Sequence, residues 1–408
     1  MICSLNYADP YFTIENVLRK ERLRYAFIGE MDMNNKSIYE KLEKKIKPND
    51  DEFIYLDINK TKDHFLESLV QEYDGEIDKE RHMVDFVFLT FFAGNDFIIP
   101  PPYLKIKEKG MEKLITIYKR LFPEEDEYLV TKDFNINLDF FRNIVRELAE
   151  NEEFNYKQLQ KKRDRVRKNG GLTNAQKRNQ EDMSEYEIAI SNYEHLEYYN
   201  QLNPMFEKYN PYFNKINYYE PKHVWKSQYY KYFFNLDKSN NNVYNSHRSE
   251  ICKNYIEALV FNLHYYFKST PPSWHFFYRY RVAPVMSDLF TNLSRIKSLK
   301  KFVTFKKDSP YLPFEQLMLI LPPQSSDILP KEIGKLMHDT EETLIQYYPI
   351  DFELDVVAGV KHVYSEPLLP IVDADEVVEK VKEKYDTLTP AEKKRNKIGK
   401  VKKIIIKK

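Results

Sequence analysis

The chain has 408 residues with 63 Lys and Arg against 63 Asp and Glu, so its formal charge is zero and any cationic contact surface has to be local. A hydrophobic share of 42% supplies buried cores, and only 9 glycines argue against nucleotide folds built on glycine loops. Two cysteines, Cys3 and Cys252, make neither a disulfide framework nor a four-ligand zinc site and fit a reducing compartment; no run approaches the ~18 uncharged apolar residues of a membrane-spanning helix.

Met1 to about Ser4 and Tyr11 to Ile14 read as short strands, and the N-terminus lacks the basic and apolar regions of a secretory signal. Asp78 reads as the N-cap of a helix with Met83, Val84, Val87, Phe88, Phe91 and Phe92 at helical spacing, stopped by Gly94 and by Pro100, Pro101 and Pro102. Further helices are predicted from about Lys109 to Phe122 and from Leu138 to about Ala149, the latter after a turn at residues 133–137. Residues 157–168 carry seven positive charges and one negative. They read as an exposed helix that breaks at Asn169, Gly170 and Gly171, with disorder to about Met183. Helical periodicity resumes from Tyr186 to Tyr199. Residues 236–248, LDKSNNNVYNSHR, read as a polar loop, and Ile251, Tyr255, Leu259 and Leu263 then mark one face of an amphipathic helix. Prolines punctuate short elements up to a helix around Ala374 to Tyr385, and nine basic residues against one acidic form a cationic tail from Ala391. The expected fold is mainly α with a minority of strands, an α+β class, without internal repeats.

Asp96, in Gly94-Asn95-Asp96-Phe97, is the first chemical candidate, because its carboxylate follows the negative end of a predicted helix. A Mg²⁺ ion would offset that repulsion, and an Asx-type turn against nearby amides is the structural alternative. The second candidate is residues 271–281, PPSWHFFYRYR. Its aromatic rings beside arginines offer stacking faces and phosphate contacts, or else pack as an aromatic core with snorkelling arginines. His223, His264 and His362 show no zinc-hydrolase spacing, and no nucleophile elbow or Walker loop is present. The basic segments at 157–168 and 393–408 are solvated faces or nucleic-acid contacts.

Six stretches in order resemble the XRN family of 5′→3′ exoribonucleases. They are Asp85 to Lys119 with GNDF, Tyr255 to Leu289 with PPSW, Leu312 to Pro330, Tyr347 to Asp355 (YYPIDFELD), Leu368 to Val377 (LLPIVDADEV) and Leu388 to Gly399. The resemblance implies processive hydrolysis of RNA from a 5′-monophosphate end, with Mg²⁺ or Mn²⁺ held by an acidic cluster. It implies a catalytic, metal-binding role for Asp96 and base stacking by Trp274; Arg279 and Arg281, read from the residues themselves, are expected to help guide single-stranded RNA. Two departures stand out: Arg279-Tyr280-Arg281-Val282-Ala283-Pro284 where the family has P-Y-H-Y-A-P, and Ile99-Pro100 where it has Pro-His.

Residues 2–14 are similar to the strand and turn that follow the family's Asp-x-Asp motif, so the nuclease half with the other carboxylates is expected to precede this sequence. Two ions about 4 Å apart need several converging carboxylates, so Asp96 alone is expected not to sustain hydrolysis. The implied organisation is the trailing part of a PIN/FEN-like nuclease core at 1–125, then a helical segment with a basic linker at 126–185. The XRN helical domain follows at 186–395 and a basic tail at 396–408. The expected function is a portion of such an exoribonuclease, in nucleus or cytoplasm, with a separate N-terminal half as partner and no membrane; a non-catalytic RNA-binding or protein scaffold is the alternative.

Overall fold

A computed structural model describes residues 16–19, 53–56, 58–70, 73, 75–125, 127–168, 216–268, 271–338, 343–350, 352, 354–355, 366–367 and 369–399. Within them the fold is mostly helical. Strands β1 (Asn16–Arg19) and β2 (Phe53–Leu56) pair antiparallel, with Asn16 opposite Leu56, and α1 (Ile58–Val70) follows. The strands expected at the N-terminus, the expected disorder up to residue 183 and the periodic stretch 186–199 lie outside the described residues.

Helix α2 (Lys79–Ala93) forms where its capping residues dictate. Asp78 accepts the amides of Glu80 and Arg81 at 3.1 and 3.2 Å, which satisfies two of the donors a helix start leaves open. Gly94 ends the helix at φ 95°, and a Cβ there would meet Pro100 Cδ at 2.5 Å, so the stop and the proline turn both require glycine. The predicted apolar face is buried, and so are His82, Asp85, Leu89 and Ala93. Apolar surface on all sides makes α2 a central helix rather than a surface one.

Helices α3 (Gly110–Leu121) and α4 (Leu138–Glu150, capped by Asn137) pack against it, and α5 (Glu152–Lys168) and α6 (Lys222–Phe234) follow in the chain. Phe88 and Phe92 of α2 reach the Phe141 ring of α4 at 6.0 and 6.1 Å. Asp85 adds a polar tie: its buried carboxylate accepts the Tyr118 hydroxyl at 2.8 Å and the amides of Leu129 and Val130 at 2.9 and 2.7 Å.

The polar stretch 236–248 is not a loop throughout. Helix α7 spans Asn241–Phe267, and Asn240 caps it by accepting the amides of Asn242 and Val243. Composition misleads here because the early turns are held by tertiary contacts. Arg248 lies 5.1 Å from the rings of both Tyr230 and Tyr244 and is paired with Asp288, while Tyr244 is buried.

Helix α8 (Met286–Leu293) is gripped at both ends. Glu152, wholly buried, accepts the amides of Met286 and Ser287 at 2.5 and 3.4 Å and pairs with Lys222. Arg142 donates to the carbonyls of Leu293 and Ile296 at the other end. At the start Glu152 satisfies amides that a helix leaves open, and at the end Arg142 adds to the bond that the Leu293 carbonyl already accepts from the Ile296 amide.

A second core follows, built from α9 (Pro313–Ile320), α10 (Ala374–Glu383) and short turns, with Phe314, Met318, Ile333, Leu344, Val377 and Val381 inside. Strands β3 (Leu354–Asp355) and β4 (Glu366–Pro367) pair antiparallel between them in sequence. The basic C-terminal stretch begins as a helix, α11 (Pro390–Arg395), with a Thr389–Glu392 capping box. Asn396, buried, accepts the Phe314 amide at 2.9 Å and ties that end to the core. Among the described residues no helix is long and apolar enough to cross a membrane.

Candidate functional site

Asp96 sits on an exposed bend two residues beyond the C-cap of α2. The turn is closed by its neighbour. Asn95 Oδ1 accepts the amides of Phe97 and Ile98 at 3.0 and 3.1 Å, and Asn95 Nδ2 donates to Asn262 Oδ1 at 2.9 Å. Asn262 is buried in α7, where its own Nδ2 donates to the Ala258 carbonyl, which fixes the direction of its oxygen. The Asx geometry weighed for Asp96 thus belongs to Asn95, and the Asp96 carboxylate makes no hydrogen bond to a described residue. Its charge is felt nearby: burial first, and then Asp96 among the neighbours, raises the Tyr266 hydroxyl above its usual range.

Phe97 carries the bend onto α7. Its ring lies 4.6 Å from that of Tyr265 and 5.9 Å from that of Phe261, and Phe261 in turn lies 5.1 Å from Phe276. The Asp96 bend and the segment 271–281 therefore rest on the same turns near the end of α7.

Within that segment the side chains divide between packed and exposed ones. Phe276, Tyr278 and Tyr280 pack inward, with Tyr278 donating its hydroxyl to the Val282 carbonyl at 2.7 Å. Trp274 is 52% and Phe277 44% exposed, Arg279 is exposed and Arg281 is half-buried. The Arg279 amide donates to Asn254 Oδ1 at 3.1 Å, which anchors the backbone and leaves the guanidinium outside.

One residue shapes the Trp274 loop. Asp308 accepts the amides of Trp274 and His275 at 2.6 and 3.2 Å and the Ser273 hydroxyl. Partial burial would raise its carboxyl, but these donors outweigh it and hold the group below the usual range. The His275 ring stacks on Tyr311 at 4.0 Å and its Nε2 lies 2.8 Å from the Ser309 carbonyl, an acceptor that selects the tautomer protonated there. Asp308 and Asn262 escape notice in the sequence. Asp308 is 34 residues from Trp274, and its only local signal is a polar run before Pro310. Asn262 lies on an otherwise apolar stretch, where a lone amide gives no hint of its partner.

Among the described residues, no three or more His, Cys, Asp or Glu side chains are arranged to hold a metal ion. Asp96 suits a hard cation as one oxygen donor of a set, not as a site of its own.

Residues 76–408 match the profile described as the Xrn1 helical domain. The 5'-3' exoribonuclease 2 homolog of Drosophila melanogaster is 29% identical over 377 residues, covering 85% of this chain and 39% of that protein. The 5'-3' exoribonuclease 2 of Gallus gallus is 29% identical, covering 79% and 37%, and the 5'-3' exoribonuclease 1 of Homo sapiens 26% identical, covering 82% and 20%. The chain thus spans less than half the length of these relatives.

Proposed function

This chain belongs to the XRN family of 5′→3′ exoribonucleases through its Xrn1 helical domain, and on that premise we propose that it serves such an enzyme by completing the metal site and guiding single-stranded RNA. In this reading the residues up to about 125 form the trailing part of a PIN/FEN-like nuclease core, braced by the helices that follow. The substrate is RNA with a 5′-monophosphate.

Asp96 would contribute one carboxylate to a Mg²⁺ or Mn²⁺ site whose other ligands come from outside the described residues. Bound there, the cation would polarise a phosphodiester and an attacking water. Trp274 offers an indole face for a base, with its loop held by Asp308 so that little order remains to be imposed on binding. Arg279 and Arg281 follow on the same segment and supply cations for phosphates. The observation that carries the reading is the shared seat of Asp96 and Trp274 on α7, through Phe97, Phe261 and Phe276. A strand stacked on Trp274 would lie along the segment that rests, like the Asp96 bend beyond α2, near the end of α7.

The test is a titration of the full chain with a labelled 5′-monophosphorylated oligoribonucleotide. Trp274→Ala weakens binding about tenfold, in line with the loss of one base stack. Asp96→Asn leaves binding without divalent cations unchanged and, where the remaining ligands are supplied by an added nuclease half, removes the increment that Mg²⁺ adds. Equal affinity of the wild-type and Trp274→Ala chains overturns the stacking role, and absence of RNA binding altogether leaves a protein scaffold as the function.

A further inference from the structure

The basic run at 157–168 takes no part in the site above. It forms one wall of a cleft of about 320 Å³ between α5 and the segment from Tyr103 to Lys113. Asn155, Gln158, Lys162 and Arg165 follow at three- and four-residue steps, so they share a face of α5, and Lys161 borders it. Lys113 of α3 and Glu108 stand opposite. Four cations meet one carboxylate here, in a chain whose total charge is zero.

That carboxylate is already engaged: Glu108 accepts Lys162 Nζ with both oxygens, at 2.8 and 2.9 Å. Lys113 is half-buried and donates to the Tyr103 carbonyl at 2.8 Å, which leaves donors to spare. Burial lowers its pKa first, and the Lys162 charge adds to the effect against the opposing Glu108 and Glu112. Lys161 and Arg165 are exposed and make no hydrogen bond or ion pair with a described residue. A half-desolvated ammonium beside uncompensated cations gains most from an anion entering the same cleft.

The donor set favours a particular anion. An arginine fork, three ammonium groups and two side-chain amides surround the space from both walls, above a floor of buried Tyr103 and Leu159. Donors arriving from several directions suit a tetrahedral oxyanion with several acceptor oxygens. We propose that this cleft binds phosphate groups and that their source is the backbone of a nucleic-acid strand. The source rests on the function proposed above; the phosphate chemistry does not.

The test compares the full chain with Lys161→Ala/Arg165→Ala, two exposed positions whose truncation leaves the core intact, with circular dichroism verifying the fold. The probes are inorganic phosphate, with chloride at equal ionic strength as control, and a single-stranded oligoribonucleotide with a 5′-hydroxyl end. The wild type shows saturable phosphate binding by calorimetry, weakened at least tenfold in the double variant. The oligonucleotide binds more weakly to the variant, and the slope of log affinity against log salt shrinks by about 1.4, the value for two single-strand phosphate contacts at ~0.7 each. Loss of phosphate binding with unchanged oligonucleotide affinity keeps the phosphate site and overturns the strand as its source. Equal phosphate binding by the two chains, or none by the wild type, overturns the proposal whatever Trp274→Ala does to RNA affinity.

Discussion

The Asp308 carboxylate holds the backbone amide of Trp274 at 2.6 Å, across 34 residues of sequence. A depressed carboxylate contributes stability above its ordinary value of 3.8 and loses it as pH falls through the lower folded value. Asp308→Ala therefore frees the loop at neutral pH. Because the site is partly exposed, the cost to global stability is about 1 kcal/mol. Hydrogen exchange at the Trp274 and His275 amides should accelerate far more than in α7; unchanged rates there would show that the loop holds itself.

The two tryptophans sit in opposite environments, Trp225 fully buried and Trp274 half-exposed. The Trp225 indole N–H has no partner among the described residues, so Trp225→Phe removes an unsatisfied donor and leaves Trp274 as the sole reporter. In that variant acrylamide quenches the emission strongly, and single-stranded RNA protects it. Emission indifferent to RNA at saturating concentration would exclude base stacking on this ring.

Asp85 predicts an unusual acid limb. Burial raises its carboxyl to about 7 against the pull of Tyr118, Leu129 and Val130. Between its ordinary 3.8 and about 7 the folded chain holds a proton that the unfolded chain has released, so stability from this group falls as pH rises through that window. Urea unfolding across the window should show the decline, and Asp85→Asn should flatten it. Asp85→Ala strands a hydroxyl and two amides and costs about 3 kcal/mol. A wild-type profile that rises over the same window contradicts the assignment.

Arg248→Ala strikes the first turns of α7. Asp288 keeps Lys226 at 2.6 Å but loses its second cation, and the rings of Tyr230 and Tyr244 lose theirs. The expected cost is about 2 kcal/mol, below the figure for leaving a buried charge alone, because Lys226 remains. Limited proteolysis should cut first within residues 241–248, and an unaltered pattern would mean that local propensity suffices there.

Gly94→Ala tests the route from helix stop to carboxylate. The positive φ and the 2.5 Å approach to Pro100 together predict a loss of about 2 kcal/mol. The bend bearing Asp96 must shift, so Mg²⁺-dependent RNA binding should weaken along with stability. Full retention of both would show that the bend tolerates the strain.

Two local signals among the described residues survive in the fold. Asp78 and Gly94 bound α2 as capping chemistry requires, and the four-residue spacing of Ile251, Tyr255, Leu259 and Leu263 sits inside α7. The Asn-rich stretch before Ile251 misleads because its helical turns are secured by Tyr230 and Asp288, which no window around residue 245 contains. Asp96 and Trp274 are visible as motifs, yet the ring contacts that seat both on α7 join residues too far apart in sequence for any pattern to reveal.

The grip on α8 has a mechanical consequence. Glu152 begins α5 and Arg142 lies in the first half of α4, so one elbow of the chain seizes both extremities of the eight-residue rod that follows the Trp274 segment. Rod and elbow are clasped at two points, so a load on the preceding segment meets a braced joint and not a yielding tether.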